Sequence, residues 1–574
     1  DPLQAALAAG ETPSPEMVAA AAARSVMRPP AALTLLGAVA VVFVATLWLN
    51  DRQSISATLR SDLSIDVLVH RSREILGALG YADRLSDSAS GLRFNVGYLR
   101  FDRTRAAAGR RQRLLADRPA AIEFWFRESP VPLVADMRPL VGGPPRVGPV
   151  SFDNPPRDAR GMRSIVLDPR GRLLSFQAVP DEFDTRAAAA MNWDAVFAAA
   201  GLDRREFHDA EPTWTPPAAS DERRAWTGAY AEWPDIPIRL EAAAYRGYLV
   251  GFRTLAPWDR VPPPDAAVGR GQFVGGFVYA LSIAGLVLAW WNLRLGRGDK
   301  RGAYRLGVFI LIASVIEWLL KVDHVAGAGE MQLFRLGLGT ALVQAVSAYV
   351  VYLALEPHLR RRWPEALITW SRVIGGRFSD AAVGRDVLIG LALAGIAAVV
   401  WTLAAWWFGR TTDADLVLAN ALSARRGLGT LVATMANAVF ISVFVCFFAL
   451  LMRLLFRNTI AAALAAWVPW LLLGLVSAVD GQAFSPIVTG TFGVVSTFAV
   501  FRYGLLAVTT VIATQTLDPM FRAWVAWHGL PGGGFVLALI VGVGAWACYL
   551  AIGSPALVPR RQGGLGISDG ASSG

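Results

Sequence analysis

Apolar residues fall along this chain in two regimes. From Leu33 to Trp48, and again from Phe273 onward, they run on in stretches near or above the roughly 18 residues that a membrane-crossing helix needs. Between Asn50 and Gly269 they come in short groups broken by charge, as in a folded aqueous domain. The pattern predicts spans at 33–49, 273–293, 305–322, 335–355, 387–408, 428–452, 459–479 and 534–553. Pro486 to Thr514 reads two ways, because Arg502 divides it into two apolar pieces: one long tilted helix or two short ones. The expected fold is therefore an α-helical polytopic membrane protein with nine or ten transmembrane helices and an α+β extracytoplasmic domain. Its expected parts are a cytoplasmic juxtamembrane segment at 1–32, a first span at 33–49, the aqueous domain at 50–269, a multi-helix membrane region at 270–555 and a flexible tail at 556–574.

Within 50–269 the periodicity switches between helix and strand. His70 to Gly80 predicts a helix followed by the strand-like YLRFDR and PAAIEFWFRESPVPLV, and Asn192 to Asp203 predicts a second helix before PIRLEAAAYRGYLVGFRTL. The reading is an approximate internal repeat of helix and hairpin. A further hairpin lies between the copies, with Asp168, Pro169, Arg170 and Gly171 as its turn. Helices packed on one face of antiparallel sheet would follow.

Charge sets the orientation. The net charge is +10, yet residues 50–268 hold 30 Arg against 29 acidic residues, while the rest of the chain holds 25 basic and 16 acidic side chains. The excess sits in short flanks of spans, at Arg294 to Arg305 and at Arg360 to Arg385, which the positive-inside rule places in the cytoplasm. That puts 50–269 outside, and it explains the basic balance without nucleic acid, which is not expected as a partner. Both cysteines, Cys446 and Cys548, fall in spans, so the aqueous domain is expected to fold without disulfides or a Cys-based metal site.

No catalytic string stands out. H-E-x-x-H is missing and the five histidines are scattered, so no catalytic, cofactor-binding or metal-binding residues are assigned. The candidates are ionisable residues in or beside spans, where charge is costly and is therefore paired or functional. Glu317 and Lys321 share a helical face, Asp323 and His324 follow at the boundary, and Arg502 sits between its two apolar pieces. These five residues read either as packing locks or as a polar cavity for sensing or ion passage. Glu317 is expected to pair with Lys321 or Arg502.

Longer strings carry a family resemblance. The opening DPLQAALAAGETPSPEMVAAA, the insert's FWFRESPVPLV, SIVLDPRGRLLSFQAVP and EPTWTPPAASDERRAW, and the membrane region's DHVAGAGE, YLALEPHLRRRWPEALITWSRVIGGRFSDAAVGRD and FRYGLLAV resemble the membrane and sensor portion of large bacterial transmembrane serine/threonine protein kinases. The catalytic domain is not in this sequence: it has no Gly-rich phosphate loop, H-R-D or D-F-G. The resemblance implies a cytoplasmic kinase domain attached before Asp1, which would carry ATP and Mg, with none expected here. It implies an extracytoplasmic ligand, the lipid bilayer and a homodimeric copy as partners, and the bacterial inner membrane as location. The competing readings are a transporter or channel-like protein with an accessory domain, and a purely structural envelope module.

Overall fold

The structure is a computed structural model describing residues 13–20, 26–53, 63–104, 113–114, 117–140, 143–147, 149–181, 183, 189–231, 233–259, 266–407, 424–479, 485–527 and 534–553. The expected tail at 556–574 and residues 1–12 of the expected juxtamembrane segment lie outside the described residues.

Sustained apolar sequence gives helices, because only a helix satisfies its own backbone where water is excluded. A short helix α1 (Pro15–Ala20) precedes α2 (Pro29–Gln53), which outruns the expected first span at both ends. After the aqueous domain come α6 (Ala266–Arg294), α7 (Lys300–Lys321), α8 (Ala328–Arg362), the short α9 (Ile368–Ile374), α10 (Ala381–Trp407), α11 (Ala424–Leu455), α12 (Thr459–Val479), α13 (Ser485–Tyr503), α14 (Leu505–Trp527) and α15 (Gly534–Ala551). Among the described residues seven of these, α2, α6, α7, α8, α10, α11 and α12, are long and apolar enough to cross a membrane. The apolar parts of α14 and α15, Leu505–Leu517 and Ala538–Ala551, are shorter. The chain is a multi-pass membrane protein.

The ambiguous stretch around Arg502 is two helices, and the break falls at Gly504 rather than at the arginine. Gly504 has φ +94, and a Cβ there would run into the backbone of Ala366, its α carbon included at 2.6 Å, so the corner needs glycine for both conformation and space. A second irregularity is Pro357 inside α8, which cannot donate to the carbonyl of Leu353. The buried Asn292 of α6 donates its amide to that carbonyl at 3.0 Å and to Ala354 O at 3.2 Å, replacing the lost bond from outside the helix.

The aqueous domain contains α3 (Ile65–Ala78), β1 (Asp87–Phe94), α4 (Val96–Thr104), β2 (Ile122–Ser129), a separate hairpin of β3 (Met137–Leu140) and β4 (Gly143–Val147), β5 (Arg163–Leu167), β6 (Leu173–Ala178), α5 (Trp193–Ala200), β7 (His208–Ala210), β8 (Glu222–Tyr230), β9 (Trp233–Tyr245) and β10 (Tyr248–Leu255). Eight strands form one antiparallel sheet in the order β1-β2-β5-β6-β10-β9-β8-β7. Read inward from either edge, the order is a helix-preceded run of four successive strands. The runs meet at their last members, with Phe252 opposite Phe176 and Arg253 opposite Ser175. Each half is thus a four-stranded run with a helix before it, where the sequence suggested a helix and one hairpin; the YLRFDR stretch expected as strand lies instead in α4, between β1 and β2. The hairpin expected between the copies supplies β5 and β6, the inner half of the first run.

Alternation explains the layers. Phe124, Phe126, Ile165, Leu167, Leu240, Ala242 and Phe252 face α3 and α5 in one apolar core with Leu68, Ile75, Val196 and Phe197. Residues of opposite parity, including Arg93, Glu123, Trp125, Arg127 and Arg253, leave a polar second face. The turn residue Asp168 is fully buried: Oδ2 accepts from Arg118 Nε at 3.0 Å and Arg172 Nε at 2.6 Å, and Oδ1 from the N–H groups of Arg170 and Arg172. A buried carboxylate needs such saturation.

Candidate functional site

Two polar centres stand out, one under the sheet's second face and one where the aqueous domain meets the helices. The first is a cavity of about 500 Å³ at the seam between the halves of the sheet. Arg93, Glu123 and Arg253 line it from strands, Phe152 and Arg157 from the segment after β4, and Trp214, Trp258 and Asp259 from other loops. The guanidinium groups of Arg93 and Arg157 stand over the ring of Phe152 at 4.1 and 4.0 Å. Burial pushes the Arg157 pKa down and that of Asp259 up.

The segment 149–157 that walls this cavity is held from beneath by Arg127. Its Nη1 donates to Ser151 O at 2.7 Å and Phe152 O at 3.1 Å, and its Nη2 to Pro156 O at 3.2 Å. Burial of this side chain lowers its pKa to about 10. A fully buried arginine spent on three carbonyls fixes a loop that has no ladder of its own.

The second centre uses the same segment. The backbone N–H of Val150 donates to Asp323 Oδ2 at 2.9 Å, while Arg426 Nη2 of α11 donates to Asp323 Oδ1 at 2.6 Å. One carboxylate therefore joins the aqueous domain to the bundle. Around it Arg425 donates to the carbonyls of Leu319 and Val322 at the end of α7, where a cation also complements the helix dipole. His324 contacts Glu330 Oε1 at 2.7 Å and Leu319 O at 3.1 Å, and its ring meets that of Trp318 edge-on. Val134 of the aqueous domain packs with Val322, Leu333 and Trp318 beside this cluster.

Of the five candidate residues, the structure gathers four. Lys321 Nζ lies 3.3 Å from Glu317 Oε1, and Asp323 and His324 follow at the same end of α7. Arg502 does not join them. It flanks Gly504, which packs on Ala366 in the connection that also receives Arg305 through Ile374 O. Arg305 is twelve residues before Glu317 on α7, about 18 Å along the helix. Of the two partners expected for Glu317, Lys321 is the one the structure provides; Arg502 also interrupts apolar sequence, but at the opposite end of the bundle. The guanidinium of Arg502 stands 5.4 Å from the ring of Tyr503.

Sequence reasoning passed over Val150, Arg425 and Arg426. The adjacent arginines in the first turn of α11 were a readable signal, because a charged pair at the mouth of an apolar run needs a partner. Val150 acts through its backbone and carried none. Among the described residues no group of three or more His, Cys, Asp or Glu could hold a metal ion. What fold and site define is a class: a multi-pass membrane protein whose antiparallel sheet domain is joined to its helices by the Asp323 carboxylate and by apolar packing around Val134. No protein-family model, no curated protein and no solved structure matches the chain.

Proposed function

We propose that this chain is the membrane and sensor region of a bacterial serine/threonine protein kinase receptor, with the sheet domain outside the inner membrane and the kinase domain before Asp1. The observation that carries the relay is the segment 149–157, which walls the cavity with Phe152 and Arg157 and reaches the bundle through Val150 and Asp323. A ligand that favours one position of Phe152 and Arg157 changes the geometry offered to Asp323. Differential affinity for two such positions is what coupling requires.

All ten long helices cross in this reading. Contacts at the end away from the sheet support it: Met27 N–H to Ala551 O, Arg360 to Arg297 O, Arg453 over Trp363 and Gly504 on Ala366 gather the ends that an alternating path of ten crossings would bring together. The route toward a kinase starts at that end, where Val18 of α1 is buried in the bundle's core cluster. ATP and Mg belong to the attached domain. The competing transporter reading needs Glu317 and Arg502 on one path, and they stand at opposite ends.

The test has two arms. The coding sequence upstream of Asp1 should contain H-R-D and D-F-G, and their absence would remove the kinase. With the full-length protein in proteoliposomes, Asp323→Asn should change autophosphorylation while leaving detergent stability nearly unaltered. Unchanged autophosphorylation would remove the relay.

A further inference from the structure

The cavity's charges are unequally committed, and that inequality names a ligand chemistry. Arg93 is taken by Glu123, with Nη2 and Nε 2.7 and 2.8 Å from one carboxylate oxygen, and the other oxygen accepts the Asn95 amide at 2.9 Å. Arg157 pairs with Asp153 at 3.2 Å. Two groups remain. Arg253 makes no hydrogen bond or ion pair among the described residues. Asp259 accepts the Ala256 N–H on Oδ2 at 2.7 Å and forms no ion pair among the described residues, the nearby Arg253 and Arg93 offsetting only part of the upward push of burial on its pKa. Both line the same cavity and neither has closed on the other.

A cation and a half-buried carboxylate in one cavity, neither of them in an ion pair among the described residues, select against simple ions. An anion bound at Arg253 would leave Asp259 facing it unneutralised, and a cation bound at Asp259 would leave Arg253 so. A molecule carrying both charges satisfies both at once. The aromatic faces of Trp214 and Trp258 offer apolar contact for the rest of such a molecule, and Trp258 is itself braced by Tyr98 and Phe101 at 4.9 and 5.1 Å. The volume lies within the roughly 300–1,000 Å³ of small-molecule sites.

We infer that the cavity binds a free α-amino acid as its zwitterion, the carboxylate on Arg253, the ammonium on Asp259 and the side chain against Trp214 and Trp258. The inference rests on the reading of this cavity as the sensing site. It sharpens that reading by naming the ligand class. The site lies at the seam of the sheet, where Arg253 is paired with Ser175 of the other half, so the ligand bridges the two halves.

The experiment is calorimetric titration of the full chain in detergent with the standard L-amino acids, inorganic phosphate, succinate and putrescine. At least one amino acid should bind. Its N-acetyl and carboxamide derivatives should each bind the unaltered protein about tenfold or more weakly, as should the amino acid to Arg253→Ala and Asp259→Asn. The derivatives keep the test sound if either variant folds poorly. Binding of phosphate, succinate or putrescine with no amino acid bound would overturn the ligand class and leave the cavity as a sensing site. So would binding that survives both blocking groups. Silence of the whole panel would count against the cavity as a sensing site as well.

Discussion

At the end of the bundle away from the sheet, polar side chains reach across to backbone carbonyls of neighbouring helices and are buried there. Asn292 serves Leu353 and Ala354, and Arg360 serves Arg297. At the sheet-bearing end Glu317 is buried, but Lys321, Asp323, His324 and Glu330 are partly exposed; these groups pair with one another and with Arg426 and include a contact to a separate domain through Asp323. The contrast teaches where movement is cheap. A buried donor that loses its carbonyl cannot find water, so the first end is a fixed frame. A half-exposed carboxylate can exchange a partner for water at small cost, so the second end is adjustable.

Substitutions should rank the two ends. Gly504→Val places a β-branched residue at positive φ against the backbone of Ala366, and should lower stability in detergent by about 2–4 kcal/mol in a denaturant titration. A loss well below this would mean that the corner yields and the frame is not fixed. Asn292→Leu should cost about 1–3 kcal/mol by orphaning Leu353 O. Pro357→Ala in that background should return part of it, because alanine restores the N–H that the helix lacks, and a double-mutant cycle without coupling would break this account of the pair. At the adjustable end Glu317→Gln should cost only about 1 kcal/mol, since Lys321 retains access to water.

Much of this contrast was hidden in the sequence for identifiable reasons. The helices were legible because each is a long apolar run, and the β5–β6 turn because Asp168 and Gly171 bracket it. The strand β8 was not, since ERRAWTGAY opens with charges that lie on an exposed edge of the domain. Which end of the bundle a charge occupies depends on how helices are cut, and Gly504 moved the break past Arg502. The cavity was illegible for a different reason. Arg93 and Glu123 meet by strand pairing across 30 residues, Arg253 joins them from more than a hundred residues further on, and among a domain's 30 arginines nothing local marks these as the inward ones.

The central claim is that the segment walling the cavity is held to the bundle through Asp323. Hydrogen exchange on the full chain, comparing unaltered protein with Asp323→Ala, tests it most directly. The account predicts faster exchange in peptides covering 149–157, with β5, β6 and β10 unchanged, because Arg127 and the sheet do not depend on that carboxylate. Unchanged exchange at 149–157, or uniform loosening of the whole sheet domain, would contradict it.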